Sequence, residues 1–204
     1  MTRSTDNPWL SRFALLAAVA TLCLVGLGGV VTSKGVGMAV PDWPNTFGEN
    51  MFFFPFSKWV GGVFYEHSHR LLASVVGLLT TMLAVWLWLK ESRPWLRWLG
   101  IIAFLAVVLQ GILGGLRVVL DKHGLGTELG IFHATIAQLF FALICSIALF
   151  ASRWWQSLPL EPLGSSKPSR LARLPAMMLR TTVSTGIISS FFTSISRSLR
   201  RSTK

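Results

Sequence analysis

Glu66-His67-Ser68-His69-Arg70 runs without a break into an apolar stretch from Leu71 to Leu89. A run of that length matches the ~20 residues a helix needs to cross about 30 Å of hydrocarbon. Ionisable side chains at the edge of such a span are costly and mark function by default. Residues three and four apart share a helix face, so Glu66, His69 and Arg70 point one way. His67, about 200° around the helix from His69, points elsewhere and reads, like His123, as a surface or loop residue.

Composition agrees with a membrane protein. The 204 residues are 52% hydrophobic and 13% charged, with a mean hydropathy of +0.58; soluble domains carry about 25% charged residues. The net charge of +11 is unevenly spread. Residues 1–151 hold ten Lys/Arg and seven Asp/Glu, whereas residues 152–204 hold nine and one. The charge belongs to a tail and the aromatic residues to the apolar part, which argues against nucleic acid as a partner and for the lipid bilayer. Cys23 and Cys145 both fall inside apolar runs, where free thiols act as small hydrophobes.

The hydropathy pattern predicts spans over about 13–32, 65–89, 98–120 and 128–151, after a short cytoplasmic N-terminus over 1–12. The first run exceeds a signal-peptide h-region and is read as a retained helix. Between the first two spans lies a loop rich in Gly, Pro and aromatic residues, including Trp43, Phe52, Phe53, Phe54, Phe56 and Trp59. It fits an interfacial aromatic belt and also a lid over the Glu66–Arg70 stretch. Lys90 to Arg97 reads as a short basic turn. Gly111 and Gly115 make a small-xxx-small pair that allows close helix approach. By the positive-inside rule, Arg3, Arg12, Lys90, Arg93, Arg97 and the tail lie inside and both long loops outside.

The end of the first span, Val25-Gly26-Leu27-Gly28-Gly29, resembles Gly111-Ile112-Leu113-Gly114-Gly115 of the third. Each is followed by a glycine-containing loop and a helix with a histidine near its outer end. The expected fold is therefore an all-α membrane protein, a four-transmembrane-helix bundle made of two parallel two-helix repeats. His69 and His133 then lie at matching depth on parallel helices, where two imidazoles can clamp one haem iron. Ala73, Gly77 and Ala137 leave room for a flat ring, and Arg70 and Arg117 suit its propionates. A closed zinc site wants four ligands, commonly with thiolates, and none stands nearby. On the residues alone, Glu66 reads equally as a cap at the positive end of its helix and as an acid–base group.

Gly35-Val36-Gly37-Met38, Pro41-Asp42-Trp43-Pro44, Glu66-His67-Ser68-His69-Arg70, Gln110-Gly111-Ile112-Leu113-Gly114-Gly115 and His133-Ala134, in that order, resemble the first half of haem A synthase. The resemblance covers about residues 10–150. It implies an eight-helix enzyme of two similar halves that oxidises a methyl of haem O to the formyl of haem A for cytochrome oxidase. It further implies Glu66 as catalytic acid, His69 and His133 as axial ligands of the substrate haem, and Arg70 as completing the motif. Haem O is the implied substrate, with a second copy of the chain or haem O synthase as candidate partners. The haem b of the family's other half is not expected here, and the cysteine pair some members carry in the first outer loop is absent. The resemblance thus reads as a half form, in the plasma membrane of a bacterium; the rival class is a non-catalytic bis-histidine electron-transfer protein. The tail over 152–204 is expected to approach a fifth helix near Arg170 to Thr182. Beyond that it reads as a basic amphipathic surface helix or as an out-of-frame continuation.

Overall fold

A computed structural model describes residues 7–158. The expectations for the tail beyond 158 lie outside the described residues. Four long helices dominate: α1 Pro8–Ser33, α2 Gly62–Lys90, α3 Pro94–Val119 and α4 Gly126–Ala151, followed by a short α5, Arg153–Gln156. All four long helices have the length and apolar character to cross a membrane, and the chain is a multi-pass membrane protein. No strand occurs among the described residues, where only an isolated bridge joins Thr46 and Glu49.

The helices begin two to five residues before the positions that hydropathy alone predicts, because their first turns take in residues such as Pro8, Gly62, Pro94 and Gly126 that lie outside the apolar runs. Asn7 Oδ1 accepts from the N–H groups of Trp9 and Leu10 at 3.1 and 3.3 Å, with Pro8 at the first helical position. That pairing satisfies two of the free donors at the helix start. Pro94 opens α3 in the same way, since its missing N–H costs nothing there. Arg97 therefore belongs to α3, and the turn between α2 and α3 shrinks to residues 91–93.

That turn is closed by charge. Buried Glu91 accepts from Arg93 Nε and Nη2, both at 2.9 Å, and from the Arg93 N–H at 3.0 Å. Arg93 Nη1 reaches the Phe150 carbonyl of α4 at 3.0 Å, and Arg97 Nε donates to the Glu91 carbonyl. Burial pushes the Glu91 carboxyl upward, but hydrogen bonds and charge from Arg93 outweigh it and hold the group below its ordinary value.

Each long helix lies beside two others: α1 against α2 and α4, and α3 against the same two. The helices that carry His69 and His133 thus stand diagonally across the bundle. The hydrophobic core sits mainly toward the α2–α3 turn, where Leu10 and Ala14 of α1, Leu83 and Leu87 of α2, Leu96 of α3, and Ile144 and Ile147 of α4 converge. Leucines and valines on the outward faces, such as Leu15, Leu22, Leu78 and Leu105, are exposed, as suits contact with lipid.

Candidate functional site

The first long loop, residues 34–61, folds down onto the start of α2, and the acid–histidine–arginine stretch is what holds it. Glu66 is 4% exposed. Its Oε2 accepts from the Val40 N–H at 2.9 Å and its Oε1 from Arg70 Nη2 at 2.7 Å. Arg70 spends its remaining Nη hydrogens on the carbonyls of Val40 (2.9 Å), Asp42 (2.7 Å) and Asn45 (3.1 Å). A buried guanidinium needs such a full set of acceptors. The i,i+4 spacing thus brings Glu66 and Arg70 into one ion pair, as the helical face predicts.

The Pro41-Asp42-Trp43-Pro44 stretch is the other side of this attachment. Asp42 accepts from the N–H groups of Phe47 and Gly48 at 2.8 and 2.7 Å. This closes a turn in which both residues take positive φ, +52° and +77°, a region that Phe rarely adopts. The Trp43–Pro44 peptide is cis. The Trp43 ring lies directly on Gly115, where a Cβ would overlap its carbons. Gly115 therefore serves the loop, while a Cβ on Gly111 would meet nothing within 4 Å. The pair is not a helix–helix seam.

His67 is a correction to the sequence reading. It is wholly buried, at 0% exposure, beneath the loop. Its Nδ1 lies 3.2 Å from Thr46 Oγ1, and its ring stands edge-on to Trp59 at 4.5 Å and tilted against Phe54 at 5.2 Å. Its Nε2 has no partner. Sequence reasoning placed His67 on the far side of α2 from His69 but had no means of seeing that a loop covers that side. His123 is exposed as expected. The loop's aromatic residues divide accordingly: Phe54 is buried against His67, while Phe53 and Phe56 are 83% and 80% exposed. One set covers the stretch and the other suits the membrane interface.

His69 and His133 each lie seven residues after the first residue of their helices, Gly62 and Gly126. Each ring rests on a glycine of the preceding helix. A Cβ on Gly28 of α1 would come within 3.1 Å of His69 Cε1, and one on Gly114 of α3 within 3.3 Å of His133 Cε1. The Leu24 carbonyl faces the first ring and the Gln110 carbonyl the second, and the two imidazoles are electrostatic neighbours. His69 Nδ1 is buried without a hydrogen-bond partner. Arg117, in the last turn of α3, is an electrostatic neighbour of both histidines. Its guanidinium lies against Gly37 of the loop and Gly130 of α4, and its Nε is buried and unpartnered.

Among the described residues no group of three or more His, Cys, Asp or Glu side chains could hold a metal ion. Two neighbouring imidazoles, without a third ligand among the described residues, fit a haem iron better than a protein-built zinc site. The glycine seats and the unpartnered cation in Arg117 fit a flat, anionic-edged ligand. Of the two candidate propionate partners, Arg117 has the free donor, whereas the Nη hydrogens of Arg70 are committed to the loop and Glu66. Sequence reasoning missed Gln110. It is 9% exposed, and its amide lies 3.1 Å from His133 Nδ1. The signal was available, since Gln110 is the sole polar side chain over residues 99–116.

The sequence matches the family described as cytochrome oxidase assembly protein over residues 11–194. Haem A synthase of Shouchella clausii is 30% identical over 144 residues, which cover 70% of this chain and 46% of that protein. Haem A synthase of Alkalihalophilus pseudofirmus is 29% identical over 64% of this chain and 44% of its own length. That of Geobacillus kaustophilus is 28% identical over 69% and 43%. The chain thus spans a little under half the length of these relatives. No solved structure matches it.

Proposed function

The chain belongs to the cytochrome oxidase assembly protein family, and on that premise we propose that its bundle is a haem-handling module of haem A synthase type, with one haem between His69 and His133. The observation that carries this reading is the doubled seat: two histidines on diagonal helices, each seven residues after the first residue of its helix and each packed on a glycine of its neighbour. The same feature supports a repeat in which α1–α2 and α3–α4 are equivalent units, since Gly28 and Gly114 are also the glycines that the sequence repeat superposes.

Bound there, haem O supplies both the iron that the imidazoles ligate and the methyl group whose oxidation to a formyl yields haem A. His69 and His133 are the residues that would hold the iron. Arg117, with its unpartnered Nε, would pair with the propionate edge. Glu66, one turn from His69, is the acidic residue proposed to hold or move a proton at its carboxylate oxygens. Arg70 fixes that carboxylate and closes the loop over the site, which excludes water. The chain spans a little under half the length of the relatives it matches, so the complete oxidation is proposed of the enzyme type, and of this chain the histidine pair of the substrate haem alone. A bacterial plasma membrane, an inside N-terminus and histidines toward the outer face complete the reading. A second copy of the chain or haem O synthase are the candidate partners.

The second reading, a bis-histidine electron-transfer module, is favoured by one observation: both Glu66 oxygens are engaged in holding the loop. The test is spectroscopic. Protein purified with haem is expected to give a low-spin bis-histidine spectrum that is lost in His69→Ala and in His133→Ala. An unchanged spectrum in both variants rejects the site. Glu66→Ala is expected to keep the haem and abolish conversion to haem A, whereas wild type that binds haem and never yields haem A favours electron transfer.

A further inference from the structure

The two histidines share a seat but not a partner. In α1 the residue four before the seating glycine is Leu24, and in α3 it is Gln110. His69 Nδ1 therefore has no side-chain partner, while His133 Nδ1 has the Gln110 amide beside it. An amide can be turned end for end, and the hydrogen-bond network decides which way it points. One orientation of Gln110 satisfies three groups together. Its NH2 donates to His133 Nδ1 at 3.1 Å and to the His133 carbonyl at 3.3 Å, and its oxygen accepts from the Ala137 N–H at 3.2 Å. The opposite orientation sets oxygen against the carbonyl and NH2 against N–H. Unmade hydrogen bonds are expensive in a buried site, so the first orientation is the stable one.

We propose that Gln110 is a positioning residue that holds the free His133 imidazole in its Nε2–H tautomer, making the two histidines unequal as ligands. The reason is bookkeeping on one ring. A neutral imidazole has one N–H and one lone pair; when Nδ1 accepts from Gln110, the proton sits on Nε2, the atom that iron needs bare. Each ring has a backbone carbonyl of the preceding helix beside it, Leu24 for His69 and Gln110 for His133; only His133 also meets a side-chain amide, so His69 stays free to carry its proton on Nδ1. This rests on the haem reading above for its consequence, though not for its geometry. His69 is the ligand ready to bind, and His133 must shift its proton to Nδ1 and turn the Gln110 amide before it ligates. Partners beyond the metal ligands tune affinity in this way, and the effect suits a haem that is taken up and released.

The test begins without haem. Histidine-15N-labelled protein in detergent micelles, at a pH where the rings are neutral, reports each tautomer by nitrogen–proton correlation. Wild type is expected to show His133 as Nε2–H. Gln110→Leu, which copies Leu24, and Gln110→Met, which keeps the side-chain length, are expected to move His133 to Nδ1–H while His69 stays put. Haemin titration should then show roughly fivefold tighter binding in both variants, the size of one neutral hydrogen bond. Wild-type His133 found as Nδ1–H, or an unmoved tautomer in a variant whose His69 signals remain native, overturns the proposal. Weaker haemin binding in variants with the shifted tautomer overturns the ligand inequality. If no form binds haemin, the haem reading fails and the tautomer result still decides the role of Gln110.

Discussion

Toward the α2–α3 turn, Leu83, Leu87, Leu96, Ile144 and Ile147 close the space between the helices completely. At the level of His69 and His133 the pattern changes. No residue of α2 is fully buried between His67 and Val76, none of α4 between Gly126 and Phe140, and none of α1 between Thr21 and Val31. Interdigitated side chains give one end its packing contacts; at the other end the histidines lie on glycines, and His69 Nδ1 and Arg117 Nε stay without partners, the arrangement on which the haem proposal rests. A ligand site needs the second arrangement, and a bundle that had only that arrangement would have little to hold its helices in register. The loop compensates. Through Arg70, Glu66 and Trp43 it ties α2 and α3 together at the end where core packing is thin.

If that contrast is right, perturbations at the two ends separate stability from haem binding. The largest effect is expected from Arg70→Ala, which leaves Glu66 buried without its cation and releases three loop carbonyls. It should cost about 3–5 kcal/mol, read as thermal unfolding in detergent, with exposure of the Trp43 fluorophore. Ile144→Ala, at the packed end, should cost about 2–4 kcal/mol through the cavity it leaves while the haem spectrum stays unchanged. A lost spectrum with little change in melting would reverse the assignment of the two ends.

Glu91 gives a pH-dependent version of the same separation. Its carboxyl is held below its ordinary value, so its contribution is fully present above that value and is lost as pH falls through the depressed one. Acidification below the ordinary carboxylate range should therefore destabilise wild type more than Glu91→Gln, which should itself cost about 2 kcal/mol at neutral pH. Equal acid sensitivity in both would show that Arg93 does not depend on the charge of Glu91. The smallest stability effects belong to the glycines. Gly28→Ala and Gly114→Ala should each weaken haem binding by displacing a ring, whereas Gly29→Ala and Gly111→Ala, with nothing within 4 Å of the added carbon, should lie within about 0.5 kcal/mol of wild type and bind haem normally.

Much of this was legible in the chain. Hydropathy located four spans, and helical spacing paired Glu66 with Arg70. The glycine-rich repeat is the sequence ground for the proposal that treats His69 and His133 as equivalents. The misreadings share one physical cause: helical periodicity gives the direction of a side chain but not what comes to meet it. His67 points away from the bundle centre, and only the folded loop makes that direction an interior. Gly115 looked like a partner for another helix and turned out to receive an indole ring.

Apolar runs of about 20 residues cannot avoid becoming membrane helices, because an unsatisfied backbone is intolerable in hydrocarbon. The sequence by itself therefore determined the number of helices, their order and the faces on which Glu66, His69 and Arg70 stand. Which glycine seats which histidine, which arginine keeps a free donor, and how the Gln110 amide distinguishes His133 from His69 were decided by tertiary structure alone. Those are contacts between segments far apart in the chain, and their geometry is set when the helices pack.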